Sequence, residues 1–245
     1  MSQLEDDHWW YRGLRDLLRR TLRNSSSAIP DRPRILDIGC GTGANLKMLA
    51  EHFKKSELSG FDISPLAVEL AKRKCPSADI YVDDIRSPSL RADCFDLILS
   101  CDALYVPGLR SSLAGIQQTV QRLADGGLLI LHLPAYQWLY SQHDQAMGTT
   151  ERYSMRQVDA LLATLGLRCE TISYRVSTIF PLIVAKRAPQ RIRKRKVAEP
   201  RSDLAMPPDA INRLLFWILQ RENVAISRQF ALPFGSSLFA VGRKP

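Results

Sequence analysis

A glycine-rich stretch at residues 34–46 constrains the fold of this chain more than any other feature. An apolar run over residues 35–38 is interrupted only by Asp37 and leads into three alternating glycines, Gly39, Gly41 and Gly43. The residues that follow have a helical pattern. Strand, glycine turn and helix in this order open a nucleotide-binding α/β unit. Glycine is favoured here because the turn is tight and a ligand must approach bare backbone.

Two kinds of ligand suit such a loop. The spacing matches the dinucleotide fingerprint, in which a pyrophosphate lies at the helix N-terminus. Asp37 disfavours a pyrophosphate, because like charges repel, and favours a cation such as the ammonium group of S-adenosylmethionine. Asp62 ends the next strand-like run, roughly 20 residues beyond the loop, where an acid accepts hydrogen bonds from ribose hydroxyls. Both ligands contain a ribose, so Asp62 does not distinguish them.

Four segments in order resemble the successive motifs of class I S-adenosylmethionine-dependent methyltransferases. They are residues 35–43, 60–66, 82–84 and 95–100. The resemblance covers residues 5–177 and resumes at the C-terminus. It implies methyl transfer from S-adenosylmethionine within a single methyltransferase domain over residues 1–245. The implied fold is a doubly wound, Rossmann-like α/β sheet with seven strands in the order 3-2-1-4-5-7-6, the last strand antiparallel.

The resemblance also implies a set of cofactor contacts. Asp84 matches the acid that accepts the adenine amino group, and Ile85 lies beside the ring. The predicted helix at residues 5–23 resembles an N-terminal cap that closes over the cofactor, although its aromatic residues have docking of the helix as an alternative role. The candidate cofactor-binding residues are Tyr11, Arg12, Asp37, Gly39, Cys40, Gly41, Asp62, Ile63, Asp84, Ile85 and Cys101.

Candidate catalytic residues follow the fourth and fifth predicted strands, since ligands bind at the carboxyl ends of strands in sheets of this kind. Many relatives have Glu-His where this chain has Tyr105 and Val106, so a mechanism using that pair is not implied. His143 lies in a segment that resembles a bacterial subgroup, and a histidine is a natural proton acceptor near neutrality. His143 and Tyr153 are our hypotheses for the general base, with Tyr105 as a third candidate. A structural role is the alternative for Tyr105 and for His143.

The composition favours a reduced, cytoplasmic protein without a metal site. The N-terminal residues are acidic and lack an apolar run, and no segment approaches the ~20 apolar residues that a membrane span needs. The five cysteines are scattered without C-x-x-C spacing, which argues against disulfides and against zinc.

The net charge of +9 is concentrated in one tract. Residues 186–201 contain eight Lys or Arg and a single Glu, whereas the rest of the chain is nearly balanced. A local tract is not the basic groove of a nucleic-acid enzyme, so nucleic acid is disfavoured as a partner. The alternatives are a solvated loop and a patch that meets an anionic partner, such as a membrane surface.

A long insertion precedes the last predicted strand. We expect residues 178–233 to form a lid over the carboxyl edge of the sheet and to build the acceptor pocket. The expected acceptor is an N or O nucleophile of a small molecule in specialised metabolism, but the sequence does not identify it or the oligomeric state. Two rival functions remain. One is attack on another sulfonium carbon with release of methylthioadenosine, and the other is a non-enzymatic module that binds an anionic partner.

Overall fold

The computed structural model of the chain describes residues 2–25, 29–105, 108–192 and 205–245. Within these ranges a seven-stranded sheet has the order β3-β2-β1-β4-β5-β7-β6. The strands are β1 (Arg34–Ile38), β2 (Glu57–Asp62), β3 (Asp79–Val82), β4 (Phe95–Cys101), β5 (Leu123–Pro134), β6 (Arg168–Arg175) and β7 (Ser237–Arg243). β7 is antiparallel to β5 and β6, and the other neighbours are parallel. The predicted fold class and strand order are confirmed.

Helices cover both faces of the sheet. In the described part of the chain they are α1 (Ser2–Asp7), α2 (Trp9–Asn24), α3 (Ala44–His52), α4 (Pro65–Lys74), α5 (Leu109–Gln121), α6 (Gln142–Ala146), α7 (Met155–Thr164), α8 (Phe180–Ile192) and α9 (Asp209–Ser227). α2, α3 and α4 bury apolar residues on one face. α5 and α7 do so on the other.

Side chains of the buried strands alternate between the two apolar layers that lie on either face of the sheet. In β4, Leu97 and Leu99 pack on the face covered by α2, whereas Ile98 packs on the face covered by α5. Successive side chains of a strand point to opposite faces, so a nearly continuous apolar run is what a strand covered on both sides requires. This arrangement places the carboxyl ends of β1, β2 and β4 side by side.

The structure refines two predicted boundaries. The helix predicted over residues 5–23 is two helices, because His8 adopts an extended backbone and its ring accepts a hydrogen bond from the Trp10 amide, which starts α2. β5 begins at Leu123 instead of at residue 128. The expected turn at residues 125–127 is an irregularity within the strand, where Gly126 has a φ of 76° and its amide donates to the Lys244 carbonyl.

The insertion packs mainly on the N-terminal helix. In α9, Leu219 is fully buried, and the Asn223 amide donates to the Gly13 carbonyl of α2 at 2.7 Å. A Cβ on Gly13 would lie 2.5 Å from Leu219 Cδ1, so the helices meet at a position that requires glycine. No described helix is long and apolar enough to cross a bilayer. Most of the predicted basic tract, residues 193–201, lies outside the described residues.

Candidate active site

The glycine loop between β1 and α3 brings backbone close to the ends of two other strands. Gly39 and Gly41 have φ values of 67° and 55°, which favour glycine. A Cβ on Gly39 would lie 2.2 Å from Ala103 Cβ, directly after β4, whereas a Cβ on Gly41 would meet nothing within 4 Å. Gly39 is therefore needed for packing, and Gly41 leaves open space in front of the loop.

Asp62, at the end of β2, ties its own strand to the glycine loop. Its Oδ2 accepts a hydrogen bond from the Gly41 amide and its Oδ1 accepts one from the Ser64 amide, both at 2.9 Å. A carboxylate has about four acceptor positions, so each oxygen retains capacity for another donor. The carboxylate is thus fixed in orientation and still able to bind a hydroxyl pair.

A cavity of about 600 Å³ opens along the carboxyl ends of these strands. This volume is in the range of small-molecule sites. Ten of the predicted site residues line it, namely Tyr11, Gly39, Cys40, Gly41, Asp62, Ile63, Asp84, Ile85, Cys101 and Tyr105. The sequence interpretation missed further polar or flexible lining residues, among them Glu5, Arg15, Thr42, Asp102 and Met147.

Asp37 precedes the lining residues Ile38 and Gly39 but is not itself among the residues that line the cavity. Its carboxyl group raises the pKa of the lining Cys40 and Cys101 thiols, so it lies close to the cavity wall. Its side chain is 1% exposed, and neither carboxylate oxygen has a hydrogen-bond partner among the described residues. Burial raises the pKa of Asp37 well above its ordinary value, and the nearby carboxylates of Asp62 and Glu5 raise it further. A buried carboxylate without a donor is costly. A cationic ligand in the cavity would supply the missing partner.

The end of β3 forms the opposite wall. Asp84 accepts hydrogen bonds from Arg86, which lower the pKa of the Asp84 carboxyl. Asp83, expected as a solvated neighbour, accepts from the amides of Asp84 and Ser89 and so holds the following loop. Ile85 is buried on the wall, and Ile63 is 59% exposed at the rim. This side of the cavity thus presents the carboxylate of Asp84 together with the apolar side chains of Ile63 and Ile85.

The N-terminal helices close one side of the cavity. Tyr11 lines it as predicted, but the arginine of α2 that lines it is Arg15, one turn beyond Arg12. The guanidinium carbon of Arg12 instead lies 4.1 Å from the centre of the Phe216 ring on α9. Glu5 of α1 accepts a hydrogen bond from the Thr42 hydroxyl and lies 3.6 Å from Lys74 Nζ, so α1 is attached to the glycine loop.

The side chains of Arg175, His132 and Asp102 are connected in a row, and Asp102 at one end of this row lines the cavity. Asp102 Oδ2 lies 2.9 Å from His132 Nδ1, and His132 Nε2 lies 3.4 Å from Arg175 Nη1. Burial lowers the pKa of Arg175 to about 10, so the guanidinium is charged at neutral pH and only donates. His132 must then accept at Nε2 and donate from Nδ1. Asp102, at a φ of 55°, is consequently held by a directed hydrogen bond.

The tyrosines and cysteines of the cavity are protonated at neutral pH. Burial raises the pKa of Tyr11 and of Tyr105, and the carboxylate of Asp102 raises both further. Burial likewise raises the pKa of the Cys40 and Cys101 thiols. Tyr105 can therefore donate a hydrogen bond from the cavity wall, but it is a poor proton acceptor.

The two predicted general bases lie elsewhere. His143 is half-buried on α6 and is not among the lining residues of the cavity. Tyr153 is 2% exposed in the core, and its hydroxyl donates to Glu151 Oε2 at 3.2 Å. Both positions are set by the segment that follows β5, whose path the sequence did not indicate. Within the described ranges, His, Cys, Asp and Glu form no cluster that could hold a metal ion.

Comparison with known proteins agrees with this geometry. Residues 35–127, which contain the glycine loop, Asp62 and Asp84, match the family model described as "Methyltransferase domain". The matched residues make up less than half of the chain and are similar to a methyltransferase domain. The predicted resemblance to class I S-adenosylmethionine-dependent methyltransferases is therefore confirmed, and S-adenosyl-L-methionine is the cofactor that it implies.

Two curated relatives share the methyltransferase domain. The trans-aconitate 2-methyltransferase of Streptomyces coelicolor is 33% identical over 110 residues, which cover 42% of this chain and 35% of that protein. The malonyl-[acyl-carrier protein] O-methyltransferase of Anoxybacillus flavithermus is 41% identical over 68 residues, which cover 27% and 26%. The chain thus spans well under half the length of these relatives.

A solved structure shows the same fold over the whole chain. The plantazolicin methyltransferase BpumL, in complex with S-adenosylhomocysteine (SAH), superposes with a TM-score of 0.60 at 15% identity, covering 100% of this chain and 88% of that chain. Identity this low supports the fold alone. The fit of the cofactor therefore depends on the residues of this chain, above all on the buried carboxylate of Asp37.

Proposed function

We propose that the protein transfers the methyl group of S-adenosylmethionine to an N or O nucleophile of a small molecule. The observation that carries the proposal is Asp37, a buried carboxyl group whose two oxygens lack donors and which directly precedes the cavity-lining residues Ile38 and Gly39. The amino group of the cofactor's methionine is a cation and supplies such donors. A dinucleotide would instead bring a second anion to an acidic site.

Other residues of the cavity suit the rest of the cofactor. Asp62 would hold the ribose hydroxyls, since both of its oxygens are oriented and retain acceptor capacity. Asp84 would accept from the adenine amino group, with Ile63 and Ile85 against the ring. Arg15, and not Arg12, is the arginine placed to meet the methionyl carboxylate. Tyr11 would cover the methionyl end from α2.

The cofactor supplies an electrophilic methyl group with a neutral leaving sulfide, so the protein mainly has to orient the acceptor and exclude water. We assign to Asp102 the role of the polar group that contacts the acceptor near the transferred methyl group. It lines the cavity after β4, between Tyr11 and Tyr105, and its orientation is fixed by His132. It would accept a proton from the acceptor or hold a cationic acceptor in place. His143 and Tyr153 do not reach the lining of the cavity.

The distribution of Lys and Arg along the chain disfavours one class of acceptor. The surplus of Lys and Arg is confined to residues 186–201 of the sequence, and the described part of this tract, residues 186–192, does not line the cavity, so we do not propose a nucleic-acid acceptor. The names of the two curated relatives specify trans-aconitate and a malonyl group, both carboxylic acids. A carboxylate oxygen is therefore one acceptor class to examine, although the Asp102 carboxylate would repel it. Amines and hydroxyls follow, with Asp102 as the proton acceptor.

The test is turnover of methyl-labelled S-adenosylmethionine by the full chain against panels of small carboxylic acids, amines and alcohols. We expect label in one acceptor class. The Asp62→Asn variant should retain its fold but bind the cofactor about tenfold or more weakly, because a charge-assisted hydrogen bond is weakened. Failure of the wild-type protein to bind S-adenosylmethionine in calorimetry would overturn the proposal and revive the non-enzymatic alternative.

A further inference from the structure

Two helices on the outside of the molecule expose more apolar surface than packing explains. On α9, Ile211, Leu214 and Trp217 recur every three residues and are 48%, 55% and 51% exposed. Leu182 on α8 is 71% exposed. The opposite side of α9 carries the residues that are buried against α2. We call Leu182, Ile211, Leu214 and Trp217 the α8–α9 face.

Residues of both helices contact one apolar cluster. Ile183 of α8 and Leu215 and Ile218 of α9 pack around the buried Leu219. Leu182 and Leu214 directly precede members of that cluster and are exposed. Ile211, Leu214 and Trp217 thus form one exposed stripe on α9, and they are not scattered single positions.

Positive charge accompanies this apolar surface. Arg213 and Arg221 are exposed on α9, and the Arg221 guanidinium carbon lies 5.2 Å from the centre of the Trp217 ring. Glu222 is turned inward, where its carboxylate accepts from the amides of Ser177 and Thr178 at 3.1 and 2.6 Å. The chain that joins the two helices carries most of the Lys and Arg surplus of residues 186–201. The surface therefore combines Leu, Ile and Trp with net positive charge.

We propose that the α8–α9 face docks this protein on a bilayer rich in anionic lipids. Helices that lie in the membrane interface combine Trp and Leu with Lys and Arg, and adjacent polybasic segments are attracted by the negative lipid surface. A second copy of the chain is a poorer occupant, because a self-complementary contact would bring the exposed Arg213 and Arg221 of two copies together. A nucleic acid would use the cations but leaves the exposed Leu and Trp unexplained. The proposal does not depend on methyl transfer.

Vesicle sedimentation of the full chain tests this proposal. The probe is phosphatidylcholine vesicles with and without phosphatidylglycerol, compared for wild type, a Leu214→Ser/Trp217→Ser double variant and a Val82→Ser control. Val82 is 51% exposed on β3, at the opposite edge of the sheet, so the control removes a similarly exposed apolar group elsewhere. All substitutions are at exposed positions, and equal melting temperatures will verify folding.

We expect binding only to the anionic vesicles, weakened at least tenfold in the double variant and unchanged in the Val82→Ser control. Arg213→Gln/Arg221→Gln should weaken binding about tenfold and reduce its salt dependence. Absence of binding to the anionic vesicles, or equal loss in the Val82→Ser control, would overturn the proposal. A wild-type dimer that dissociates in the double variant would also overturn it, in favour of a contact between copies of the chain.

Discussion

At the scale of single residues, the carboxyl group of Asp37 makes cofactor binding sensitive to protons. Its pKa is raised by burial, so the ligand-free protein retains a proton there at a pH where an ordinary aspartate has lost it. A bound ammonium group favours the charged form and lowers that pKa again. Cofactor binding should therefore release a proton, and affinity should increase with pH across this window.

Calorimetry at about pH 6 in buffers of different ionisation enthalpy measures this release, at a pH where the cofactor amino group is still charged. Asp37→Asn is the matched variant, since it keeps the shape and removes the titration. We expect it to release no proton and to bind about tenfold or more weakly. Equal proton release by the wild type and the variant would show that another group is responsible.

Asp102 and His132 make a separate prediction about turnover. Asp102→Asn should lower kcat by about 100-fold or more while leaving cofactor affinity nearly unchanged, because it acts on the acceptor. His132→Gln retains a donor for Asp102 and an acceptor for Arg175, so it should keep more activity than His132→Leu. Equal activity of the two His132 variants, at equal melting temperature, would show that the contacts of His132 with Asp102 and Arg175 serve packing and not turnover.

At the scale of elements, the contact between α2 and α9 should contribute strongly to stability. Leu219→Ala removes a fully buried side chain at the Gly13 contact and should lower the free energy of unfolding by about 2–5 kcal/mol. Leu214→Ala removes the same type of side chain five residues earlier on α9, where it is 55% exposed, and should change the free energy of unfolding by less than about 0.5 kcal/mol. Urea unfolding of both variants measures the difference, and similar values would contradict the packing described for α9.

The pairing of β6 with β7 should be weakened by acid. Glu170 on β6 accepts hydrogen bonds from Arg243 on β7, which lower the pKa of the Glu170 carboxyl. The stabilisation is present above the ordinary pKa of 4.5 and is lost as the pH falls through the lowered value. Glu170→Gln should therefore destabilise the protein at neutral pH and much less in acid. A difference from wild type that is independent of pH would contradict this assignment.

The contact between α2 and α9 also changes the expectation for the insertion. Replacing residues 178–233 by a linker would remove Leu219 and Asn223 from the α2 surface together with the expected lid. Among the described residues, none from the insertion lines the cavity. A role of the insertion in forming an acceptor pocket therefore remains a prediction, and substitutions at its surface test it better than deletion.

At the scale of the whole molecule, the order of the strands was predictable because the motifs of a known family recur in order along the chain. The glycine loop, Asp62 and Asp84 each follow an apolar run, so the carboxyl edge of a parallel sheet collects them. The local pattern alone indicated the glycine loop and Asp62. The family resemblance implied the strand order and most of the other cavity-lining residues, including Tyr11 on α2.

The remaining residues depend on contacts between distant segments. Arg15 replaces Arg12 at the cavity because α9 occupies the side of α2 where Arg12 lies. Nothing in the sequence distinguishes His132 from the other residues of β5. Its hydrogen bond to Asp102 joins two segments that are distant in sequence. His143 and Tyr153 were chosen for their chemistry, but the path of the segment after β5 places them away from the cavity. Such pairings are not visible in a periodic pattern.

The central claim is methyl transfer at this cavity, and the most direct measurement is the identity of the products formed from S-adenosylmethionine. Mass spectrometry of a reaction with the full chain and its acceptor should detect one SAH for each acceptor that gains a methyl group. The Asp62→Asn variant should form both products more slowly and in the same ratio. Methylthioadenosine in place of SAH would show attack on a different sulfonium carbon and would contradict the account.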